Sequence, residues 1–560
     1  MAHDILIRGG TIIDGSGAPR FRGDLALAQG RIAAVGEVDS AADHIIDAAG
    51  LVVCPGFIDL HTHYDAQVTW DPLCTPSCDH GTTTVVMGNC GYAVAPVRAR
   101  DRDYSMGMFS CVEGVSKHTL ASGLPWEWET QPQYLDWLRR RGLGLNVAAQ
   151  VGHSAVRRFV LGPAAHERTA SGDEIAEMEQ LVREGLGAGA IGFTTSRVAH
   201  QKGEQGEPIP SFVAAEEEMF TLACVLRDLD RGIIGINPRT KAQDFNQEDR
   251  EQLVRLARAS GRVVTWNEFN QRSEYPDQWR SLLDFMESAQ RQGARIYAVM
   301  RCQRLDVHFN LRDTNYLNGS SGWREFMGLS HQAKLDRLGQ AEIRKALSRE
   351  LETLVSQSPG FFARTGVAVA ASARNRPLVG RLLSDVAAER STTLGDLFLE
   401  LLLEEQLETE FAFLRVTNDD DEAVATMLKS PATITGISDA GAHLHTFCGA
   451  DYPTYFLARW IREKQVLPLE QGVRSLTSLP AELAGLHDRG LLRVGAAADV
   501  CIFDPQTVAP EPLEIWHDLP GGESRHIKRA RGVEWVIVNG EVLLHRGKPT
   551  GHLPGQVLAG

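Results

Sequence analysis

Eight short apolar segments recur between residues 56 and 443, most of them followed by a stretch of helical periodicity, and this alternation constrains the fold more than any other feature. They read GFIDLHTH, GTTTVVMGNCG, LNVAAQVGHS, AIGFTTSR, GIIGINPR, RVVTWNEFN, RIYAVMRC and TITGISDAGAH. Strand followed by helix, repeated, makes a parallel sheet, and eight repeats predict an α/β fold of the (β/α)8 TIM-barrel type. The helices between them carry their own boundary signals. In SGDEIAEMEQLVREGLGAG a Ser-x-x-Glu capping box opens a helix with apolar residues at three-four spacing, and Gly189 closes it. NQEDREQLVRLARASG places acids in its first turn, arginines toward its end and Gly261 beyond.

The two ends of the chain repeat one signal. DILIRGGTIIDGSGAPRFRGDLALAQGRIAAVGEV at the start alternates apolar residues with turn chemistry, and so do GLLRVGAAADVCIFDP and GVEWVIVNGEVLLHRGKPTG near the end. This predicts one discontinuous small β-sandwich domain made from residues 1–55 and 485–560, around a barrel spanning 56–484. Between strands seven and eight, roughly Gln303 to Ser430, the connection is far longer than the others. HQAKLDRLGQAEIRKALSRELETLV and TTLGDLFLELLLEEQ look helical, so a helical insertion over about 303–430 is expected, either covering the barrel mouth or serving packing.

Composition excludes some partners. A formal charge of −15 argues against a nucleic-acid or anionic-membrane surface, since both demand clustered Lys and Arg. No signal-peptide pattern precedes residue 30 and no apolar run is long enough to span a bilayer, so a soluble cytoplasmic protein is expected. The partner expected is a small-molecule substrate, with a homo-oligomer left open. Nine cysteines, scattered and odd in number, do not form a secreted disulfide framework and read as free thiols.

The ends of the strands carry the chemistry. In a β-strand alternate side chains share a face, so His61 and His63 project together from the first strand while Thr62 points away. The second strand ends in MGNCG, which places Cys90 at the barrel mouth, and the eighth ends in GISDAGAH, which places Asp439 there. Two imidazoles, a thiolate and a carboxylate are each competent ligands for a divalent metal, most readily zinc, and a barrel top brings them together.

These same segments carry a family resemblance. LIRGGTIIDG, LVVCPGFIDLHTHYD and GLLRVGAAADVCIFDP resemble the amidohydrolase superfamily of metal-dependent hydrolases, from end to end. GNCG after an HTHYD strand, QVGHSAVRRFVLG with His153, GAIGFTTS and GISDAGAH are similar to the N-acyl-D-amino-acid deacylase branch, the D-aminoacylases. In that branch a strand-two Cys replaces the carboxylated Lys of many cyclic-amide hydrolases, and AIGFTTSR here has no Lys. The resemblance implies that His61, His63 and Asp439 hold one metal, with Cys90 shared between it and a second, tighter site. That second site takes histidines from strands five and six, where this chain has Asn237 and Asn267. A neutral amide oxygen is a weak ligand, so one metal is expected firmly and Glu268, His153 or His443 would have to rebuild a second.

The chemistry expected is hydrolysis of a non-peptide carbon–nitrogen bond, most plausibly the amide of an N-acyl amino acid. Metal-activated water would attack, Asp439 would act as general base, and His153 would assist at the oxyanion, with His443 and His445 as further candidates. Arg197, Arg239, Lys241 and Arg301 lie near strand ends as candidates for gripping a substrate carboxylate. Two alternatives stay open: lactone or cyclic-amide opening or decarboxylation on the same barrel, and a metal-poor binding or scaffold relative without catalysis. No GxSxG elbow and no GxxxxGK[ST] phosphate loop is present.

Overall fold

A computed structural model describes residues 3–239, 245–311, 314, 316–317 and 320–560 of the chain. Its centre is an eight-stranded parallel sheet that takes one strand from each of the eight predicted segments, in sequence order from Phe57–Asp59 to Thr433–Thr435. Short extensions close it: Ile437–Ala440 pairs in parallel with His61–Thr62, so the last strand meets the first. Strands such as Gly192–Ser196 and Ile233–Asn237 are buried throughout their length, which is why they read as continuous apolar runs and not as alternating ones. The helix Gly172–Gly187 has its capping box, with the Ser171 hydroxyl accepting from Glu174 N and the Glu174 carboxylate accepting from Ser171 N. The helix Gln247–Ser260 stops at Gly261, whose φ of 62° is left-handed.

A second, nine-stranded sheet joins the chain ends. The N-terminal strand Val52–Pro55 pairs with His3–Ile12 on one side and with Val500–Phe503 on the other, which in turn pairs with Val533–Val538. Period-two alternation splits the central strands Val52–Pro55 and Val500–Phe503 between two cores. Val500 and Ile502 pack with Ile5, Ile7 and Leu25 inside the sheet domain, while Cys501 and Phe503 pack into the barrel core. One strand thus holds the two units together, and each such fully buried side chain contributes about 1.5–3 kcal/mol.

The long connection after strand seven has its own core. It contains the expected helices, including Ala341–Gln357 and Leu394–Glu404, and also a three-stranded antiparallel sheet of Leu305–Phe309, Glu410–Thr417 and Thr365–Val369. That sheet escaped the sequence reading because EFAFLRVT is a short apolar run whose periodicity fits a buried helix as well as a strand. Phe309, Phe398, Phe411 and Phe413 stack in its centre. The insertion is fastened beside the barrel mouth. His308 N donates to the Thr446 carbonyl, and the Glu410 carboxylate lies 2.7 Å from His308 Nδ1 and 3.1 Å from Nε2 of His526, on a C-terminal strand.

Candidate metal centre

The GNCG turn shows how local sequence aims a ligand. Gly88 has φ +83°, and a Cβ there would sit 2.5 Å from the Gln150 carbonyl oxygen, so only glycine lets strands two and three approach this closely. Asn89 ties three strands together: its Nδ2 donates to the carbonyls of Thr62 and Val86, and its Oδ1 accepts from Gln150. Cys90 then takes a left-handed φ of +58°, and Asp439 across the barrel takes +52°. Non-glycine residues held there cost about 1–3 kcal/mol each, and such strain concentrates where side chains must be aimed.

The aimed side chains converge. Donor atoms of His61, His63 and Cys90 all lie within 4.8 Å of one another, with Cys90 Sγ 3.5 Å from His61 Nε2 and 3.9 Å from His63 Nε2. Asp439 Oδ1 is 3.2 Å from His61 Nε2 and 3.7 Å from His63 Nε2, and its Oδ2 accepts from Arg301 Nη2 at 2.7 Å. The site is nearly closed to solvent, His61 and His63 being 1% exposed and Asp439 5%.

The charged side chains of the cluster shift one another's proton affinities. Burial alone would raise the Cys90 thiol, but His61 and His63 outweigh it and bring its pKa down to about 5. Burial would lower His61, yet Cys90 and Asp439 raise it to about 9; burial would lower His63 too, yet Glu113 first, then Asp439 and Cys90, raise it well above the usual imidazole value. Burial would likewise raise Asp439, but the two imidazoles and Arg301 hold it well below the usual carboxylate range. A thiolate, a carboxylate and two imidazoles meeting in a dry pocket are the donor set of a zinc-type cation, so the residues fit one metal ion.

They do not fit the usual second one. Asn237 and Asn267 stand at the ends of strands five and six as expected, and Asn267 Nδ2 donates to Asn237 Oδ1 at 3.1 Å. Asn237 Oδ1 accepts this bond, and an amide oxygen is in any case a weak, neutral ligand. Nor does His153 reach the cluster. Its Nδ1 lies 2.8 Å from the Thr195 hydroxyl and its Nε2 2.9 Å from Glu218 Oε1, with Arg157 on the other Glu218 oxygen. With both ring nitrogens engaged, His153 sits in a buried hydrogen-bonded network in this structure. Arg301 is buried against Asp439 and over the Phe447 ring, while Arg197 is buried with Nε and Nη1 unpaired among the described residues. Arg239 lies over the Phe212 ring, and Lys241 is outside the described residues.

Glu113 was missed. It ends the helix Arg102–Glu113, is 2% exposed, and places Oε2 3.4 Å from His63 Nε2. Burial raises its pKa to about 8, with His63 opposing and Cys90 and Asp439 adding to the rise. One signal was available: an acid in the last turn before Gly114 opposes the helix dipole, which favours cations there.

Fold and site together define a metal-dependent hydrolase built on a barrel. The chain belongs to the amidohydrolase family, whose profile matches residues 44–544. It is 30% identical over 562 residues to a D-aminoacylase of Alcaligenes xylosoxydans xylosoxydans, covering 99% of this chain and 97% of that one. The structure of an N-acyl-D-glutamate deacylase from Bordetella bronchiseptica, complexed with zinc and a phosphonate mimic of the tetrahedral intermediate, superposes with a TM-score of 0.69 at 25% identity, covering 100% of both chains. A D-aminoacylase described by its binuclear metal centre, with one-metal activation and second-metal attenuation, matches equally well, at TM-score 0.69, 25% identity and 100% of both chains. The chain is accordingly a divalent-metal amidohydrolase acting on a carbon–nitrogen bond other than a peptide bond.

Proposed function

We propose that this chain hydrolyses the amide of an N-acyl amino acid, with a zinc ion held by His61, His63, Cys90 and Asp439, and with Asp439 moving the proton. The convergence of His61, His63 and Cys90 at one buried point, with Asp439 Oδ1 3.2 Å from His61 Nε2, carries the reading. A divalent ion held there supplies Lewis acidity, which lowers the pKa of a water from about 15.7 toward about 7. Asp439 accepts the proton of the attacking water and passes it to the leaving nitrogen. Arg301 anchors Oδ2 and keeps the carboxylate ionised, which leaves Oδ1 facing the imidazoles. The closed surroundings exclude bulk water, so each of these charges acts in a low dielectric. The relatives named above as deacylases of D-configured acyl amino acids make the D series the first to test, and the unpaired guanidinium nitrogens of Arg197 favour a substrate bearing a carboxylate.

The test is a substrate panel of N-acyl amino acids of both configurations, lactones and cyclic amides, run before and after chelation. We expect amine release from an acyl amino acid, lost with the metal and restored by zinc. Ring opening of cyclic amides or lactones, with every acyl amino acid untouched, would overturn the assignment.

A further inference from the structure

The Glu113 carboxyl group is buried among the metal-site side chains. Among the described residues its ion-pair partner is His63, and its Oε1 has no hydrogen-bond partner. A buried carboxyl group with an unpaired oxygen is completed by a proton or by a further cation. Its placement is not a loose side-chain excursion. Gly114 takes a left-handed φ of +64° to end the helix, and a Cβ there would come within 3.2 Å of His443 Nδ1. The Glu113 carbonyl accepts from His443 N at 2.5 Å, which locks this helix end to the loop that follows Asp439. The same imidazole that faces Cys90 and Asp439 therefore also faces Glu113.

The distances have the scale of a coordination shell. Ligands about 2.0–2.3 Å from one ion lie roughly 3–4 Å from their neighbours in the shell. The 3.4 Å from Glu113 Oε2 to His63 Nε2 falls in that range, which puts this carboxylate at the edge of the compact donor group that His61, His63 and Cys90 form. At the ends of strands five and six the chain offers only the amides of Asn237 and Asn267, which are bonded to each other and are weak ligands.

Building on the metal-hydrolase reading, we propose that Glu113 is a ligand of this metal, and that the chain holds one ion per molecule through His61, His63, Cys90, Asp439 and Glu113. The carboxylate supplies from the helix Arg102–Glu113 a donor that strands five and six do not.

The experiment compares the full-length protein with Glu113→Gln, each stripped and reloaded with cobalt(II). Affinity is read by chelator competition and the ligand field by visible absorption. Wild type should bind about one equivalent, and Glu113→Gln should bind at least about tenfold more weakly. The variant should also show an altered d–d band while keeping the thiolate-to-cobalt charge-transfer band of Cys90. Unchanged affinity and an unchanged spectrum in Glu113→Gln, or two ions bound in wild type, would overturn the proposal. Thermal melting of the stripped forms checks that the variant folds; should it not, Glu113→Asp carries the same comparison. Hydrolysis of the substrate panel separates this inference from the broader reading. A wild type that cleaves acyl amino acids beside a normally loaded Glu113→Gln refutes the ligand alone. Weakened binding beside an inert wild type refutes the substrate assignment alone.

Discussion

At the residue scale the site works because charge is arranged before any ion arrives. His61 titrates at about 9 in place of 6.5, because Cys90 and Asp439 outweigh the burial that would lower it. An ion needs the neutral imidazole, so below about pH 9 it must displace a proton. The affinity of the stripped protein for zinc or cobalt should therefore climb from near neutrality toward pH 9, by about tenfold per pH unit for each proton displaced, and level off above. Calorimetry in buffers of different ionisation heat checks this through the protons released. An affinity already flat by pH 7.5 would contradict the charge arrangement. His61, His63, Cys90 and Asp439 were legible because each ends a strand and each is a strong donor type. Glu113 was not, since its helix lies outside the strand pattern and a lone Glu ordinarily faces solvent.

Among elements, the strands deliver ligands while buried polar networks hold the strands in register. His153 belongs to the second group, joining strand Asn146–Gly152 to Thr195 on the next strand and to Glu218 on the helix Glu216–Asp228. Burial and Arg157 lower its pKa while Glu218 opposes them, so a neutral ring bridges its two partners. Replacing it as His153→Leu should destabilise the protein by about 2 kcal/mol by leaving Thr195 and Glu218 short of a partner. Metal content should stay at the wild-type level. Thermal melting and metal analysis together decide; lost activity with unchanged melting would return His153 to the chemistry. From sequence the same residue looked catalytic because a strand-end His in a barrel offers one position for two roles, and its partners are distant in the chain. The insertion's sheet was hidden for a related reason: its pairing is long-range, Val307 with Phe413 and Gly366 with Ala412.

Over the whole molecule, repetition made the barrel readable and end-to-end pairing made the sheet domain readable. Eight strand-helix repeats fix a closed barrel, and closure itself sets His61 and Ile437 opposite one another, two residues before Asp439. What no local pattern carries is how the insertion meets the barrel mouth. There His308, Glu410 and His526 join three distant segments beside the loop that follows Asp439. The central claim is that this assembly exists to hold one catalytic ion at the barrel mouth. The most direct test is elemental mass spectrometry of the purified chain, native and as His61→Ala. About one divalent ion per native chain, lost in His61→Ala, is the result expected. No ion in the native chain, even after zinc is offered, or an ion retained undiminished in His61→Ala, would contradict it.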